Sequence, residues 1–418
     1  MGIQDLSKTC KTKAPGAYSE VHISTFAKRK IAVDTSYFMV CYKTAMGEQW
    51  LTGFVTLVGL MRRYNVHPVF VYDGVATKDK DDERARRRNI RDQMELKAST
   101  VEEALNHLEI TGEIDDVLKE FQASRTKKGA PVKSVLEPLD LYPDAPTDST
   151  PEAVDSAVEQ PSESAVEVAP PLDLTLIRDE LAKLKRQAPI ITSTDFDRTR
   201  ELFQVLKVPV LQALFEAETL CADLCKRGQV AAALSPDSDL LAYGCPVMLS
   251  KIDCKTGVCT QVEYAKILDE MGMTPQLFLD YCVMLGCDYN SRIPGVGPVT
   301  ALALLKTHGS IEAVLAAGPP PPKKSRSSAS AASASSAASA AEETDAQPYG
   351  ACLNHVRIRE MFADYERLGY VKPVAVPWCG VPDIPTILAF TSAHGLRLSE
   401  GYFRSIYEPK VVVEVVEG

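Results

Sequence analysis

Acidic residues recur along this chain at the points where apolar, strand-like runs end. Asp34 ends the short run at residues 31–33, and Asp73 ends a second run at residues 66–72. Other acids follow extended runs or lie in loops, namely Glu216, Glu218, Asp237, Asp239 and Asp288. Because the carboxyl ends of parallel strands meet at one edge of a sheet, we expect these side chains to share one crevice.

Several carboxylates in one crevice favour metal chemistry. Carboxylates a few ångströms apart cannot all stay ionised without cations, and hard oxygen ligands select Mg²⁺, with Mn²⁺ as a substitute. Two such ions roughly 4 Å apart can activate a water and stabilise the leaving oxygen of a phosphodiester. We therefore predict a two-metal nuclease site in which Asp34, Asp73 and Asp239 are essential to catalysis. Any one of these acids alone would suit a helix cap or a solvated loop, so the prediction rests on their joint placement.

A second pattern lies at residues 287–298, where Ile-x-Gly-x-Gly separates two apolar helical segments. Glycines let backbone N–H groups approach a phosphate closely, and the following helix presents its N-terminus. The pattern predicts a helix–hairpin–helix contact with a DNA backbone through Gly295, Gly297 and Thr300. The alternative is an ordinary corner between two helices.

A third pattern is the charged run at residues 78–88, which has helical propensity. Lys80 and Arg87 are seven positions apart, so on a helix they share one face. That face would suit a scissile phosphate, with Arg84 as a further DNA contact. The alternative is a solvated surface helix.

The elements that would position these residues alternate between strands and helices. Residues 50–64 have helical periodicity and would connect the first two of the predicted strands. Strand-like runs lie at 31–33, 66–72, 208–211, 230–234 and 247–249. The pattern predicts an α/β fold with a mostly parallel central sheet flanked by helices.

Two compositionally biased stretches divide the chain. Residues 127–172 are rich in Pro, Ser, Ala, Val and acids, and residues 318–347 form a Pro/Ser/Ala tract. Neither has enough apolar side chains to offset the entropy of ordering, so we expect both to be disordered. The alternative for the Ser/Ala tract is a partly helical segment, given its alanine content. The remaining segments are predicted to be an N-terminal nuclease region with the start of an arch at 1–126, an internal nuclease region at 173–273, a DNA-binding module at 274–317 and a C-terminal helical region at 348–418.

Composition narrows the class of protein further. The 418 residues are 45% hydrophobic, no run approaches the roughly 18 apolar residues of a membrane span, and the first residues lack a signal-peptide pattern. We therefore expect an intracellular, soluble protein that binds no membrane. The formal charge of -10 does not exclude nucleic acid, since much of it lies in a stretch without Lys or Arg between Lys133 and Arg178.

The 11 cysteines are interpreted as small buried hydrophobic residues. Zinc at Cys221 and Cys225 is disfavoured, because no second Cys/His pair completes a site. Cys254 and Cys259 flank a predicted hairpin turn.

These motifs together resemble the flap endonucleases and the wider XPG-type family of structure-specific 5′ nucleases. The first four residues, with Leu6, are similar to that family's N-terminus. The family's acidic motifs match Asp34 and residues 71–74, 216–218 and 237–239, and its Gly-x-Asp-Tyr and Ile-x-Gly-x-Gly motifs match residues 286–297. All seven carboxylates are present in the family's order, and the resemblance covers most of the chain outside the two biased stretches.

The resemblance implies a PIN-like nuclease core with a helical arch and a helix–two-turn–helix module at about residues 274–315. It implies two Mg²⁺ ions at the acidic site, a K⁺ ion at the module and a DNA contact at Gly2. It also implies that Lys80 and Arg87, on the arch, contact the scissile phosphate. The expected protein is a monomer that cuts DNA at a 5′ flap, nick, gap or junction, or as a 5′-to-3′ exonuclease, in the nucleus or at another site of DNA replication.

Some positions depart from the family pattern. Val40 stands where flap endonucleases have an aromatic residue that stacks on a base, so either Tyr37 or Tyr42 substitutes or the contact is absent. Phe215 stands where a polar residue or Tyr is usual, and residues 409–418 lack a sliding-clamp box.

The branch within the family and the substrate stay open at this point. Residues 237–244 are closer to the exonuclease and XPG branches than to flap endonucleases proper. An RNA-cutting member is one alternative, because the same carboxylate chemistry hydrolyses RNA. A catalytically inert junction-binding scaffold is another, which the retention of all seven acids disfavours.

Overall fold

A seven-stranded sheet lies at the centre of the computed structural model, which describes residues 2–126, 172–186, 189–319 and 349–407. In chain order the strands are β1 Tyr18–His22, β2 Lys30–Asp34, β3 His67–Tyr72, β4 Val210–Gln212, β5 Ala232–Leu234, β6 Val247–Ile252 and β7 Val258–Glu263. Across the sheet their order is β1-β7-β6-β5-β2-β3-β4. Neighbours from β6 to β4 are parallel, whereas β7 is antiparallel to both β6 and β1. The predicted mostly parallel sheet is confirmed.

Helices cover the sheet and extend from it. In the described part of the chain they are α1 Leu6–Lys13, α2 Thr35–Met46, α3 Trp50–Arg63, α4 Asp81–Thr111, α5 Asp116–Thr126, α6 Leu174–Arg186, α7 Ser193–Val205, α8 Ala217–Lys226, α9 Asp239–Ala242, α10 Tyr264–Met271, α11 Pro275–Leu285, α12 Pro298–His308, α13 Ile311–Ala317, α14 His355–Ala363, α15 Ile384–Ala393 and α16 Glu400–Tyr407. A 3-10 turn, Lys78–Lys80, leads into α4.

Strand alternation builds two cores, one on each face of the sheet. Successive side chains of a strand point to opposite faces. Ala32 and Val69 belong to the apolar cluster that includes residues of α8 and α11, whereas Val33 and Phe70 belong to the cluster that includes residues of α2, α3 and α7. Because the centres of β2 and β3 are buried on both faces, residues 31–33 and 68–72 are continuously apolar, which is why these strands could be recognised.

A third apolar cluster lies outside the sheet. It joins α4, α5 and α6 through residues such as Val101, Phe121 and Ile177. The helix α6, which follows the acidic insertion in the chain, packs on the two helices that precede the insertion. Most of that insertion, residues 127–171, lies outside the described residues, as do residues 320–348 and 408–418.

The sequence patterns place five of the seven strands approximately; β7 is implied only by the predicted hairpin turn, and β1 is missed. Nothing in the sequence indicates β1, because its residues Tyr-Ser-Glu-Val-His are mostly polar and only half-buried at the edge of the sheet. The hairpin turn predicted between Cys254 and Cys259 is confirmed, since β6 and β7 pair across it. All 11 cysteines are free.

The predicted DNA-binding module contains α11, α12 and α13, yet it shares a core with the sheet. Residues Phe278, Ala301 and Ile311 of these helices belong to the same apolar cluster as Ala32. The predicted segment boundaries therefore stay predictions. Within the described ranges no single helix is long and apolar enough to cross a membrane; α12 and α13 meet that criterion only as a pair, bent by 96°.

Candidate active site

Most of the predicted metal ligands lie where the central parallel strands end. Asp34 is the last residue of β2, and Asp73 directly follows β3, the neighbour of β2. Asp237 and Asp239 follow β5, the other neighbour of β2. The acids therefore meet at one edge because the three strands are adjacent and parallel.

The remaining acids come from two helix ends. Glu216 is the residue before α8 and Glu218 lies in its first turn, and the Ala217 N–H donates to Oδ1 of Asp73 at 2.8 Å. An oxygen from each of Asp73, Glu216 and Glu218 lies within 4.8 Å of the others. Asp288 follows α11 and joins the cluster through cations described below.

The buried carboxylates lack enough hydrogen-bond donors. Asp34 accepts hydrogen bonds from the Tyr37 N–H at 3.2 Å and the Ser235 hydroxyl at 3.1 Å. In contrast, Oε2 of Glu218 and Oδ1 of Asp239 are buried and find no hydrogen-bond partner in the described structure. Buried oxygens without a donor are costly unless a cation satisfies them.

Burial and mutual repulsion make these acids hard to ionise. Burial, followed by the charge of Asp73, raises the pKa of Asp34 to about 8. Burial and neighbouring acids also raise the pKa of Glu218 and of Asp239 well above the ordinary value. Burial raises the pKa of Asp237 as well. The cluster thus carries more negative potential than its protein surroundings neutralise.

This donor set fits divalent metal ions. Its groups are carboxylates that converge on one pocket, and two of their oxygens are buried without a partner. Hard cations such as Mg²⁺ take oxygen ligands of this kind. A cation would also remove the repulsion that raises the pKa values of the acids.

Lys80 and Arg87 reach into the acidic pocket. Nζ of Lys80 lies 2.7 Å from Glu216 and 3.3 Å from Asp288. The guanidinium of Arg87 contacts Asp288 at 2.8 Å and Glu83 at 2.7 Å. Burial alone would lower the pKa of Lys80, but the neighbouring carboxylates outweigh it and hold that pKa well above its ordinary value.

The expectation that these two cations share one helix face needs correction. Arg87 lies in α4, but Lys80 is the last residue of the preceding 3-10 turn. They converge on Asp288 from two elements. Their roles toward a phosphate stay predictions. Arg84, the third cation of the run, is half-exposed and pairs with Asp81 at 3.4 Å.

The N-terminal segment packs directly on the acidic loop. The Ile3 N–H donates to the Ser238 hydroxyl at 2.9 Å. Gly2 has a φ of +83°, and a Cβ there would lie only 2.1 Å from Oδ1 of Asp237. A glycine is therefore required by the close approach to the metal-ligand loop, and its predicted DNA contact stays a prediction.

The glycine-rich hairpin lies between α11 and α12. Gly295 has a φ of +79°, which favours glycine, whereas Gly297 has an ordinary extended backbone with a φ of -88°. No atom lies within 4 Å of a Cβ built on either residue, so the hairpin is open on that side. Only Gly295 therefore needs glycine for its backbone. Thr300 lies half-buried in the first turn of α12.

The aromatic substitutes considered for Val40 are wrong. Tyr42 is fully buried and packs edge-on against Phe54 at 4.9 Å. Tyr37 is also buried in the core, with 6% of its surface exposed. Neither ring is available to stack on a nucleic-acid base.

Two contributors to the site were not anticipated. Ser235 donates to Asp34, and the ring of Tyr289 lies 5.2 Å from Nζ of Lys80. Tyr289 belongs to the Gly-x-Asp-Tyr motif, which was the only local signal for it. Ser235 lies two positions before the first acid of the Asp-x-Asp motif. It is 201 positions from Asp34 in the chain, so no local pattern indicates the contact.

Known families and proteins are similar to this chain in sequence. The family model of the XPG N-terminal domain matches residues 1–94, and that of the XPG I-region matches residues 207–288. A probable RAD2-like endonuclease, 369L, of Invertebrate iridescent virus 6 is 26% identical over 98% of this chain and 92% of its own length. Flap endonuclease 1 of Komagataella phaffii is 27% identical over 76% of this chain and 70% of its own length.

A solved structure supports the fold. The catalytic core of Rad2 in complex with a DNA substrate superposes on 97% of this chain and 98% of its own, with a TM-score of 0.56 and 14% sequence identity. The fold matches that of a nuclease core, and the relatives named as endonucleases support a nuclease, which is a hydrolase. The two family models and the relatives support an XPG-type structure-specific nuclease, with flap endonucleases among the proteins that the chain is similar to.

Proposed function

We propose that this chain cuts DNA at 5′ flaps or related junctions with the help of two Mg²⁺ ions held by its carboxylates. The observation that carries the proposal is the convergence of acids from β2, β3, β5 and α8 on one pocket that Lys80 and Arg87 also enter. The name of the Komagataella phaffii relative supports a flap substrate, and the Rad2 core was solved with DNA.

Mg²⁺ is the proposed ion because the ligand set consists of carboxylate oxygens. Asp73, Glu216 and Glu218, whose oxygens converge, would hold one ion. The other acids would complete the ligand set, namely Asp34, Asp237, Asp239 and Asp288. When bound, such ions activate a water and stabilise the leaving oxygen of the phosphodiester.

The chain's own cations are placed to stabilise a phosphate. Lys80 and Arg87 are fixed at the pocket by Glu216 and Asp288, so little reorganisation is needed when a phosphodiester arrives. Exchanging a carboxylate partner for a phosphate oxygen would put both charges where negative charge develops in the transition state. Each residue would then contribute more to the rate than to affinity.

Substrate structure would be read away from the metal pocket. The open hairpin at Gly295 and the N-terminal end of α12 present backbone N–H groups to a duplex phosphate. Such a contact positions the duplex and carries no base information. Specificity for a junction would then arise from the geometry between this anchor and the pocket.

A cleavage panel tests the proposal. The full chain is incubated with 5′-labelled flap, nicked, gapped and single-stranded DNA, and with an RNA flap of the same sequence, in Mg²⁺ or in EDTA. We expect cleavage near the base of the DNA flap in Mg²⁺ and no cleavage in EDTA. The Asp239→Ala variant tests the metal site, and a mock purification from cells that lack the chain serves as the control for contaminating nucleases.

Each other outcome has a definite meaning. Cleavage that persists in EDTA or in the Asp239→Ala variant would refute the metal site. Faster cleavage of the RNA flap would replace DNA by RNA as the substrate. Preference for single-stranded ends over flaps would assign the chain to the exonuclease type of activity.

A further inference from the structure

Three residues next to proposed site residues are contacted by one segment from the C-terminal part of the chain. The neighbours are Asp79, which precedes Lys80, Phe215, which precedes Glu216, and Tyr289, which follows Asp288. The segment consists of α14 and the turn after it, residues 355–370, and we name it the α14 segment.

The first contact is an ion pair with the 3-10 turn that precedes α4. Nη2 of Arg357 lies 3.2 Å from Oδ2 of Asp79, and the same nitrogen donates to the Tyr370 hydroxyl at 3.1 Å. Nη1 of Arg357 lies 3.6 Å from Glu360 in the same helix. The guanidinium is 36% exposed, so its contribution to overall stability is small. It nevertheless links the α14 segment to the 3-10 turn that carries Lys80.

The second and third contacts are aromatic. Phe362 of the α14 segment packs edge-on against Tyr289 at 5.8 Å, and the Tyr289 ring lies 5.2 Å from Nζ of Lys80. Tyr370 packs against Phe215 with ring centroids 4.6 Å apart. The unusual Phe215 therefore has a structural partner, and that partner also binds Arg357.

We propose that the α14 segment is a positioning element for the active site and that Arg357 is a positioning residue for Lys80. The inference rests on the proposed function, because it assigns Lys80 a role in phosphodiester cleavage. Arg357 touches none of the metal-ligand carboxylates among its described contacts. It acts through Asp79 on the direction in which the Lys80 side chain leaves the turn.

The physical need for such an element follows from the Lys80 side chain. A lysine side chain has several rotatable bonds, and holding it in one geometry costs conformational entropy. Small displacements of a group that stabilises a transition state cause large losses in rate. Lys80 is the last residue of a short 3-10 turn and directly precedes α4, so contacts made to the turn from outside add to those of α4 in fixing its backbone.

The test compares Arg357→Ala with a matched control. Arg367→Ala removes an arginine of the same segment that is 64% exposed and pairs with Glu360 and Asp364 at 3.5 Å. Single-turnover cleavage of the DNA flap is measured at saturating enzyme, together with flap affinity. We expect Arg357→Ala to lower the rate about tenfold to 100-fold with little change in affinity. Arg357→Lys, which keeps the charge, should restore part of the rate, and Arg367→Ala should leave it unchanged.

A double-mutant cycle separates positioning from general damage. In a Lys80→Met background there is no ammonium left to position, so adding Arg357→Ala should lower the rate less than twofold. Asp79→Asn alone should reproduce the loss caused by Arg357→Ala. Equal losses in both backgrounds would overturn the proposal, as would a loss confined to affinity.

A second measurement does not depend on cleavage. Acetic anhydride acetylates accessible amines, and mass spectrometry reports the rate at each lysine. Lys80 is 13% exposed, whereas Lys119 is 55% exposed and far from Arg357 in sequence. We expect Arg357→Ala to raise the acetylation rate of Lys80 about threefold or more, because local opening of the turn would expose the amine more often. The acetylation rate of Lys119 should stay unchanged.

Flap cleavage and Lys80 acetylation together distinguish a failure of the proposed function from a failure of the positioning role of Arg357. If the wild-type chain cuts no substrate but Arg357→Ala still exposes Lys80, the proposed function fails and the positioning contact stands. If the wild-type chain cuts the flap and Arg357→Ala changes neither Lys80 acetylation nor the rate, only the positioning role is overturned. If Arg357→Ala does not fold, Arg357→Lys and Asp79→Asn carry the same comparison.

Discussion

Replacing Lys80 by Met should destabilise the metal-free protein and make it more responsive to Mg²⁺. The substitution removes the ammonium and keeps most of the side-chain length. Glu216 would lose its partner at 2.7 Å, and Asp288 would lose one of its two cations. Both acids are largely buried, so solvent would compensate only in part.

The size of the loss follows from these contacts. Removing one partner of a buried ion pair costs roughly 3–5 kcal/mol, because the other charge is left uncompensated. Arg87 continues to neutralise Asp288 at 2.8 Å, so we expect about 3 kcal/mol, the lower end of that range. At roughly 2–4 °C per kcal/mol, Tm in EDTA should fall by about 6–12 °C.

Mg²⁺ should reverse most of this loss. In the proposed site the ammonium of Lys80 and a metal ion compete for the same carboxylates. Without the ammonium the metal is bound more tightly, and a ligand stabilises the folded state by RT ln(1 + [L]/Kd). The rise in Tm between EDTA and saturating Mg²⁺ should therefore be larger for Lys80→Met than for the wild type.

Differential scanning calorimetry or fluorescence melting over a Mg²⁺ series measures both quantities. Lys119→Met is the matched control, because Lys119 forms an exposed ion pair with Asp116 in α5. It should leave both Tm and its dependence on Mg²⁺ unchanged. A wild-type Tm for Lys80→Met in EDTA would show that the ion pairs with Glu216 and Asp288 do not form in solution. An equal Mg²⁺ response in the two proteins would refute the competition.

Four further substitutions test other parts of the structure. Asp239→Ala should abolish flap cleavage while fluorescence anisotropy still reports flap binding, and near-normal turnover would contradict the metal assignment. Arg359→Met should lower the free energy of unfolding in urea by roughly 3–5 kcal/mol, since it leaves Asp280, 1% exposed, without its bidentate partner; a loss below about 1 kcal/mol would contradict this. Thr192→Ala should cost about 1 kcal/mol in the same assay by removing one half of a capping box, and an unchanged midpoint would contradict it. Gly295→Val should weaken binding to flaps but not cleavage of short single strands, because its φ of +79° disfavours a side chain; unchanged flap affinity in a folded variant would make the hairpin only a corner.

The elements that carry the acids could be predicted because they follow simple rules. The centres of β2 and β3 are apolar runs, since parallel strands covered by helices on both faces bury the side chains of both faces. Once strands are parallel and adjacent, residues at their ends must be close in space, and Asp34 and Asp73 are placed by that rule alone. The apolar cluster of α4, α5 and α6 was harder to predict from the sequence, because the insertion separates α6 from the other two helices.

Contacts between distant segments could not be predicted from local patterns. β1 is polar and half-buried at a sheet edge, so neither hydrophobic alternation nor an apolar run marks it. Arg357 and Asp79 are 278 positions apart, and each would suit an ordinary surface position. The same holds for Ser235 and Asp34, whose pairing depends on the neighbouring order of β5 and β2. Such contacts form only in the completed fold, so no local spacing of residues in the sequence indicates them.

The balance of charge in the pocket bears on the order in which DNA and metal would bind. Seven carboxylates in the proposed site face two cations, Lys80 and Arg87. That excess of negative charge repels a phosphodiester, and the chain as a whole is also negative. Two divalent ions would bring four positive charges and leave the site nearly neutral, so that a phosphate could enter and take Lys80 and Arg87 from their carboxylates. Productive binding should therefore require metal, whereas the proposed duplex anchor at Gly295 includes none of the seven acids and would hold a duplex without metal. Affinity for a flap should for this reason depend on Mg²⁺ less strongly than cleavage does.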